Sequence, residues 1–436
     1  MHQGGDAVDR IEHETFAFDP ATIDTLVLSH AHLDHSGLIP LLVSRGFRGT
    51  ILCMTVTMKL LPVMLKNAAG LYERDLKWKN RRRQRQGKKL IRPVCTQRHV
   101  DKALAMCERV PNGKEVTLGP DGAATLRFLD AGHILRSAIT ELVFSEDGKE
   151  EKFVFSGDLG KTESVLMKTP ATVADADIVL MEGTYGNRCH RNLQNTIDQL
   201  EQILRDTWQG KGNILMPSFA VGRTQEILYH LGLMHHDGKL DPWQVYLDNP
   251  MAIAVTDIYD DCLNLLDRED ADRIRALHQG SLKNFLPSLR YTNTPEESMA
   301  LNNIKNGAII IAGNGMCTGG RIRHHLKQRI WNKRHRVVFL GFQAGGTLGR
   351  ILLDGAKRVR LFGEDIVVKA GIETLNGFSA HADQGELIDW VRAIGGKPRV
   401  MLVHGELSAL DALSVKLWQE HKLATDIPYE GQRVFF

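Results

Sequence analysis

No apolar run in the 436-residue sequence approaches the roughly 20 residues of a membrane span, and no basic stretch leading into an apolar one opens it. No repeat of 20–50 residues and no low-complexity segment is visible. The six cysteines (Cys53, Cys95, Cys107, Cys189, Cys262 and Cys317) are scattered, without a Cys-x-x-Cys pair. That argues against a disulfide framework or a structural zinc site and suits free thiols in a reducing compartment, with the cytoplasm as the expected location. Net charge is also nearly lacking, at +3, so any attraction for a polyanion must come from how charge is distributed. What is present is ordinary globular composition, 43% hydrophobic and 25% charged, enough for two or three domains with ample core.

Chemistry is concentrated between positions 30 and 35, which read His30-Ala31-His32-Leu33-Asp34-His35 directly after the apolar run Thr25-Leu26-Val27-Leu28. At a strand end, residues two apart point the same way, so His30 and His32 can grip one ion. As the chain turns, Asp34 and His35 can face a second. A lone histidine is usually a satisfied polar side chain, but three with an aspartate in six residues read as a metal site. Further metal-capable residues end other apolar runs. His133 follows Thr125–Leu129, Asp158 follows Phe153–Phe155, and His404 follows Val400–Val403. Polar ligands at the tips of buried strands are what a rigidly held catalytic metal requires.

This series, His-x-His-x-Asp-His, then a separate histidine, then Ser156-Gly157-Asp158, resembles the ligand series of the metallo-β-lactamase superfamily. The segments Met181–Gly186, Phe378–Asp383 and Val403–Glu406 resemble the three additional motifs of its β-CASP nucleases, the group containing bacterial RNase J and the eukaryotic pre-mRNA 3′-end cleavage endonuclease. The resemblance covers nearly the whole chain and is similar to the compact two-domain bacterial type. It implies an α/β fold: an αββα metallo-β-lactamase sandwich with an inserted parallel-sheet α/β β-CASP domain. The expected boundaries are 1–187, 188–375 and 376–436, the first and last parts forming the sandwich.

By the same resemblance, His30, His32 and His133 hold one zinc, Asp34, His35 and His404 the other, and Asp158 bridges; manganese is the alternative metal. Two ions about 3.5–4 Å apart suit phosphodiester hydrolysis, one activating water and both stabilising charge on phosphoryl oxygens. His381 is the expected general acid, with Glu182 holding its imidazolium form; Asp34 is counted with them among the catalytic groups. A histidine in the last motif is associated with RNA-acting members, so His404 favours RNA over DNA. The implied partner is single-stranded RNA, with no membrane and with a homodimer allowed. Endonuclease and 5′-exonuclease modes both fit these motifs. The family's first strand ends in a segment resembling Asp-Cys-Gly-x-x-Gln-Gly, whereas this chain begins Met1-His2-Gln3-Gly4-Gly5-Asp6. The expectation is an internal methionine start, with the first strands encoded upstream.

Charge is also unevenly spread. Tyr72 to Arg92 carries ten Lys/Arg against Glu73 and Asp75, a local +8 that leaves −5 for the rest. A solvated helix face and a phosphate-backbone surface including Arg81, Arg82 and Arg83 both fit such a run. In the inserted part, the strands Asn213–Met216, Gln244–Leu247, Ala308–Ile311 and Val337–Leu340 each precede a helix-like segment, which predicts a parallel sheet. Two junctions there can hold an RNA phosphate or be plain turns: Pro217–Arg223, with Ser218 and Arg223, and Gly313–Arg321, with Gly315 and Arg321. Three other functions compete. A small-molecule metallohydrolase of the same fold needs neither the insert nor Glu182 and His381. A DNA-directed β-CASP nuclease is disfavoured by His404, and a truncated RNA-binding form without productive metal is the third.

Overall fold

The computed structural model describes residues 11, 14–119, 122–146, 148–277 and 280–434. The opening segment Met1–Asp6, on which the expectation of an upstream start rests, lies outside them. The chain divides into two compact units, Met1–Cys189 with His381–Phe436, and His190–Ala380. The second unit begins two residues later and ends five residues later than the expected 188–375. At its end, Leu375 and Phe378 join the core of the inserted unit, carrying the short turn Asn376–Phe378 with them.

In the first unit, parallel strands Thr25–Val27, Thr50–Cys53 and Cys107–Arg109 form a three-stranded sheet in that order. A seven-stranded sheet runs Thr425–Asp426, Arg399–Val403, Ile178–Glu182, Lys149–Phe155, Ala138–Glu146, Ala124–Asp130, Glu115–Leu118. Its first four strands are parallel and the remainder antiparallel. Along Ala124–Asp130 every second residue is buried, the period of a strand with one face on a core. Leu126 and Phe128 accordingly meet Leu52 and Met54 between the two sheets. On the other face, Val179, Met181, Val400 and Leu402 pack against helices Gln384–Arg392 and Leu407–His421 through Leu387, Val391, Leu410 and Leu413. Helices Ile39–Ser44, Thr55–Arg85 and Gln97–Ala105 complete the sandwich beside the three-stranded sheet. Each large apolar side chain so buried contributes about 1.5–3 kcal/mol before chain entropy is counted.

The inserted unit holds six parallel strands in the order Leu289–Tyr291, Gln244–Asp248, Ala308–Ala312, Ile214–Pro217, Arg336–Phe339, Gly371–Thr374. All five residues of Ala308–Ala312 are buried, as in a strand covered on both faces. The alternation sorts them: Ile309 and Ile311 join one core cluster, Ala308, Ile310 and Ala312 the other. Among the described residues no helix is long and apolar enough to cross a membrane.

Candidate metal centre

The strand Thr25–Val27 ends in a segment tied to both sheets of its unit. Leu28 donates its N–H to the Leu52 carbonyl (2.9 Å), and the Ser29 carbonyl accepts from Ala138 N–H (2.9 Å). His30 and His32 follow, and a short helix, Leu33–Ser36, turns Asp34 and His35 into the same region. The turn is closed by the Ser36 hydroxyl donating to the Ala31 carbonyl (3.0 Å). Ser29 Oγ lies 3.1 Å from His30 Nδ1, which leaves Nε2 as the His30 atom aimed at the other ligands.

Two donor sets converge. His32 Nδ1 lies 3.2 Å from both His30 Nε2 and His133 Nε2. Asp158 Oδ2 is 3.4 Å from His30 Nε2 and 3.6 Å from His133 Nε2. The second oxygen, Asp158 Oδ1, is 3.1 Å from His35 Nε2 and 3.4 Å from His404 Nδ1. His404 Nε2 in turn is 3.6 Å from Asp34 Oδ2. One carboxylate thus turns an oxygen to each set. Asp158 sits where it does because Gly157 allows it. Gly157 has φ +57°, and a Cβ there would lie 2.6 Å from the Ala138 carbonyl oxygen. His404 also has a left-handed backbone, φ 52°, uncommon outside glycine and frequent at sites that hold a side chain in a fixed direction.

Two atoms test whether a cation fits. His35 Nε2 and Asp158 Oδ1 are buried and face each other at 3.1 Å without hydrogen-bond geometry, and neither has a hydrogen-bond partner among the described residues. Buried polar atoms are ordinarily satisfied, and lone pairs converging without donors suit a divalent ion. Charge states agree for His30, His133 and Asp158, whereas at His404 burial is outweighed by Asp34 and Asp158, which hold its imidazole up at about 9. Burial, then the neighbouring His35, pushes the His30 imidazole down to about 3, and burial holds His133 well below its ordinary value. Burial alone would raise Asp158, but the surrounding imidazoles, His30 foremost, hold it well below the carboxylate range. Neutral imidazoles and ionised carboxylates are the forms that bind metal.

Beside these sets stand Glu182 and His381. Glu182 is fully buried at the end of strand Ile178–Glu182. Its Oε1 accepts from Leu159 N–H (2.8 Å) and lies 3.0 Å from His381 Nδ1, while Oε2 accepts from Thr184 N–H (3.1 Å). Burial works against an imidazolium at His381, yet Glu182 and Asp158 outweigh it and hold its pKa above the ordinary value. The His381 ring packs on that of His133, centroids 4.3 Å apart. All nine residues picked out from the sequence as ligands or catalytic groups therefore lie together in the first unit. Ser29 and Thr184 were passed over. Thr184 Oγ1 donates to the His404 carbonyl (3.2 Å) and lies 3.1 Å from His404 Nδ1, a role its place inside Met181–Gly186 could have signalled.

The other picked residues lie elsewhere. Arg81, Arg82 and Arg83 end the long helix Thr55–Arg85. In the inserted unit, Ser218 is buried 3.0 Å from Thr224 Oγ1, and buried Arg223 pairs with Glu226. Gly315 packs on the ring of Phe219, where a Cβ would lie 2.8 Å away. Arg321 donates to Asp248 Oδ1 (2.7 Å) and to the carbonyls of Thr292 and Asn293 (both 2.9 Å). Asp248, fully buried, also accepts from Thr292 Oγ1, Ser298 Oγ and His325 Nε2, each at 2.6 Å. The side chains of Ser218, Arg223 and Arg321 are therefore engaged within the unit.

Three family models match the chain: the metallo-β-lactamase superfamily over residues 6–183, the Beta-Casp domain over 224–352, and the Zn-dependent metallo-hydrolase RNA specificity domain over 365–428. The last includes His381 and His404. Ribonuclease TTHA0252 of Thermus thermophilus is 36% identical over 94% of this chain and 89% of its own length. An RNase J-like protein of Methanocaldococcus jannaschii is 26% identical over 95% and 89%. Transcription termination factor FttA of Lokiarchaeum sp. is 30% identical over 94% of this chain, which spans only 63% of that protein.

Proposed function

Since the chain belongs to the β-CASP ribonuclease family of the metallo-β-lactamase superfamily and is a metal-dependent hydrolase, we propose that it cleaves phosphodiester bonds of single-stranded RNA at a two-metal centre. The observation that carries this is the placement of Asp158, one oxygen toward each histidine set, with the Glu182–His381 pair alongside. His30, His32 and His133 hold one ion, Asp34, His35 and His404 the other, and Asp158 is shared. Zinc suits these nitrogen and carboxylate donors, and manganese is the alternative. When bound, the two ions supply an activated water and neutralise charge on the phosphoryl oxygens.

The chain's own residues do the rest. As the bond from phosphorus to the 3′-oxygen breaks, that oxygen needs a proton, and His381 Nε2 delivers it. Glu182, accepting at Nδ1, fixes the ring's direction and favours its charged form. Asp34, half exposed at the mouth of its set, orients His404. Ser218, Arg223, Gly315 and Arg321 act within the inserted unit, where they fix its loops. The activity is cytoplasmic, in keeping with six cysteines outside any disulfide, five of them buried.

The test is cleavage of a 5′-labelled single-stranded RNA with zinc or manganese, beside His404→Asn, which keeps a residue tolerant of left-handed backbone. Metal-dependent cleavage lost in the variant is expected. Equal cleavage of single-stranded DNA, or turnover of a thioester or lactam with RNA untouched, overturns the reading.

A further inference from the structure

We infer that the outer end of helix Thr55–Arg85, with the segment that folds back from it, is a second RNA-binding surface remote from the metal centre. It engages the strand by phosphate contacts and by stacking of a base on Trp78. The inference rests on the RNA-hydrolase reading above and adds a site to it.

The helix is anchored for its first two thirds. Val56, Leu60, Leu61, Met64, Leu65, Ala69, Tyr72 and Leu76 form its buried stripe, which stops at Leu76. Beyond it, Lys77 to Arg92 carries nine Lys/Arg and no Asp or Glu. A few cations at a helix C-terminus are accounted for by the dipole. Nine without one acid exceed that need, and their mutual repulsion lowers stability unless an anion is bound. Among the described residues, Lys77, Arg81, Arg82, Arg83, Arg85, Lys88 and Lys89 make no ion pair.

This end is also built, which a merely solvated charge run does not require. Asn80 makes a two-way clasp with Ile91, donating to its carbonyl (2.8 Å) and accepting from its N–H (2.9 Å). Tyr72 Oη accepts from Val94 N–H (3.2 Å), and Arg83 Nε donates to the Lys89 carbonyl (2.7 Å). Ile91, Val94 and Cys95 pack on Tyr72 and Leu76 in a small separate core. The returning segment thereby adds Lys88 and Lys89 to the charges at the helix end.

An aromatic residue stands among those charges. Trp78 is 62% exposed, and the Arg82 guanidinium lies over its ring, 5.1 Å from the centroid. Arg74, Trp78, Arg81, Arg82 and Arg85 recur at three- and four-residue steps along one exposed helix face. An open indole costs free energy in water. Set in a row of cations, it matches the sequence-independent pattern of single-strand binding, charge for the backbone and a ring for a base. At its other end the helix touches the turn that follows His133, where Thr57 Oγ1 donates to the Arg136 carbonyl (3.4 Å). From Thr57 to Arg83 it rises roughly 39 Å at 1.5 Å per residue. Only an RNA long enough to cover that span can use both sites.

The test compares the full chain with two variants, Arg81→Gln/Arg82→Gln/Arg85→Gln and Trp78→Ala, on single-stranded RNAs of about 5 and about 40 nucleotides. For the long RNA, the triple variant should raise KM with kcat unchanged. Its binding of a phosphorothioate long RNA should lose about 2 from the slope of log affinity against log salt, three contacts at about 0.7 each. Trp78→Ala should bind the long RNA about tenfold more weakly. Cleavage of the short RNA should be unchanged in both. Wild-type slope and affinity in both variants overturn the inference, as does an equal loss on short and long RNA. Should the wild type cleave neither RNA, the hydrolase reading fails by itself, and the phosphorothioate slopes still decide whether this surface binds.

Discussion

His381 Nδ1 lies 3.0 Å from Glu182 Oε1, and Glu182 is itself held by the Leu159 and Thr184 N–H groups. A carboxylate clamped from two sides cannot follow the imidazole if it swings, so the ring's direction is set by the sheet end. His381→Ala should lower kcat on RNA by about 10²–10⁴-fold. Glu182→Gln, which keeps the shape and removes the charge, should lower it less. Saturation curves should show KM nearly unchanged in both, and a rise in KM with intact kcat would assign the pair to binding instead.

Asp158 answers to both donor sets, so its neutralisation should be felt by both. Asp158→Asn is expected to reduce bound metal, counted by mass spectrometry, from about two ions per chain to fewer than one. It should cut RNA cleavage by at least about 100-fold. In the wild-type protein, added zinc should raise the unfolding temperature, because an ion that binds only the folded form adds stability by mass action. In Asp158→Asn that rise should shrink.

The inserted unit contains a polar centre whose disruption is expected to be costly. Asp248 accepts from four side chains, two of them cationic or able to become so. Asp248→Asn removes the charge facing Arg321 and turns a donor toward existing donors. A loss of about 3–5 kcal/mol is expected, read as a lower urea midpoint. Metal content should be unaffected, since none of the proposed ligands lies in that unit.

His335 gives the same unit a pH dependence. Burial, then Arg329 and Arg334, pushes its pKa down to about 4, and its Nδ1 accepts from Asn213 N–H (2.9 Å). The folded form therefore keeps the ring neutral where the unfolded chain, with a pKa near 6.5, binds a proton. Its contribution is present above about pH 6.5 and is lost as pH falls toward 4, on the order of 2 kcal/mol. His335→Asn retains an acceptor without titrating, and urea midpoints measured from pH 7 to pH 4 should fall less steeply in it.

What the sequence made legible followed from distance along the chain. His30, His32, Asp34 and His35 lie within one turn of chain, so their spacing alone suggested a shared ion. His133, Asp158 and His404 were visible as polar residues ending apolar runs, a period-two pattern that marks strand tips. Glu182 and His381 face each other from motifs separated by the whole inserted unit, and only the family resemblance joined them. Arg321 looked like a phosphate contact because it follows a glycine-rich loop, yet its ion-pair partner Asp248 ends a different strand, invisible to a local reading. Ser29 and Thr184 escaped notice because a hydroxyl that orients a ligand has no pattern beyond adjacency. The basic run around Arg81 was plain, but Asn80 and Tyr72, which give it a fixed shape, were not.

The ligands of the centre also have an order in time. His30 leaves the ribosome before the inserted unit, whereas His381 and His404 follow the whole of it. Strands Ile178–Glu182 and Arg399–Val403 pair directly, so the edge that carries Glu182 stays without its neighbour until then. Until the inserted unit has been made, a nascent chain therefore lacks both a complete second donor set and the proposed proton donor. On the proposed reading, cleavage of the message being translated waits until the inserted unit has been made.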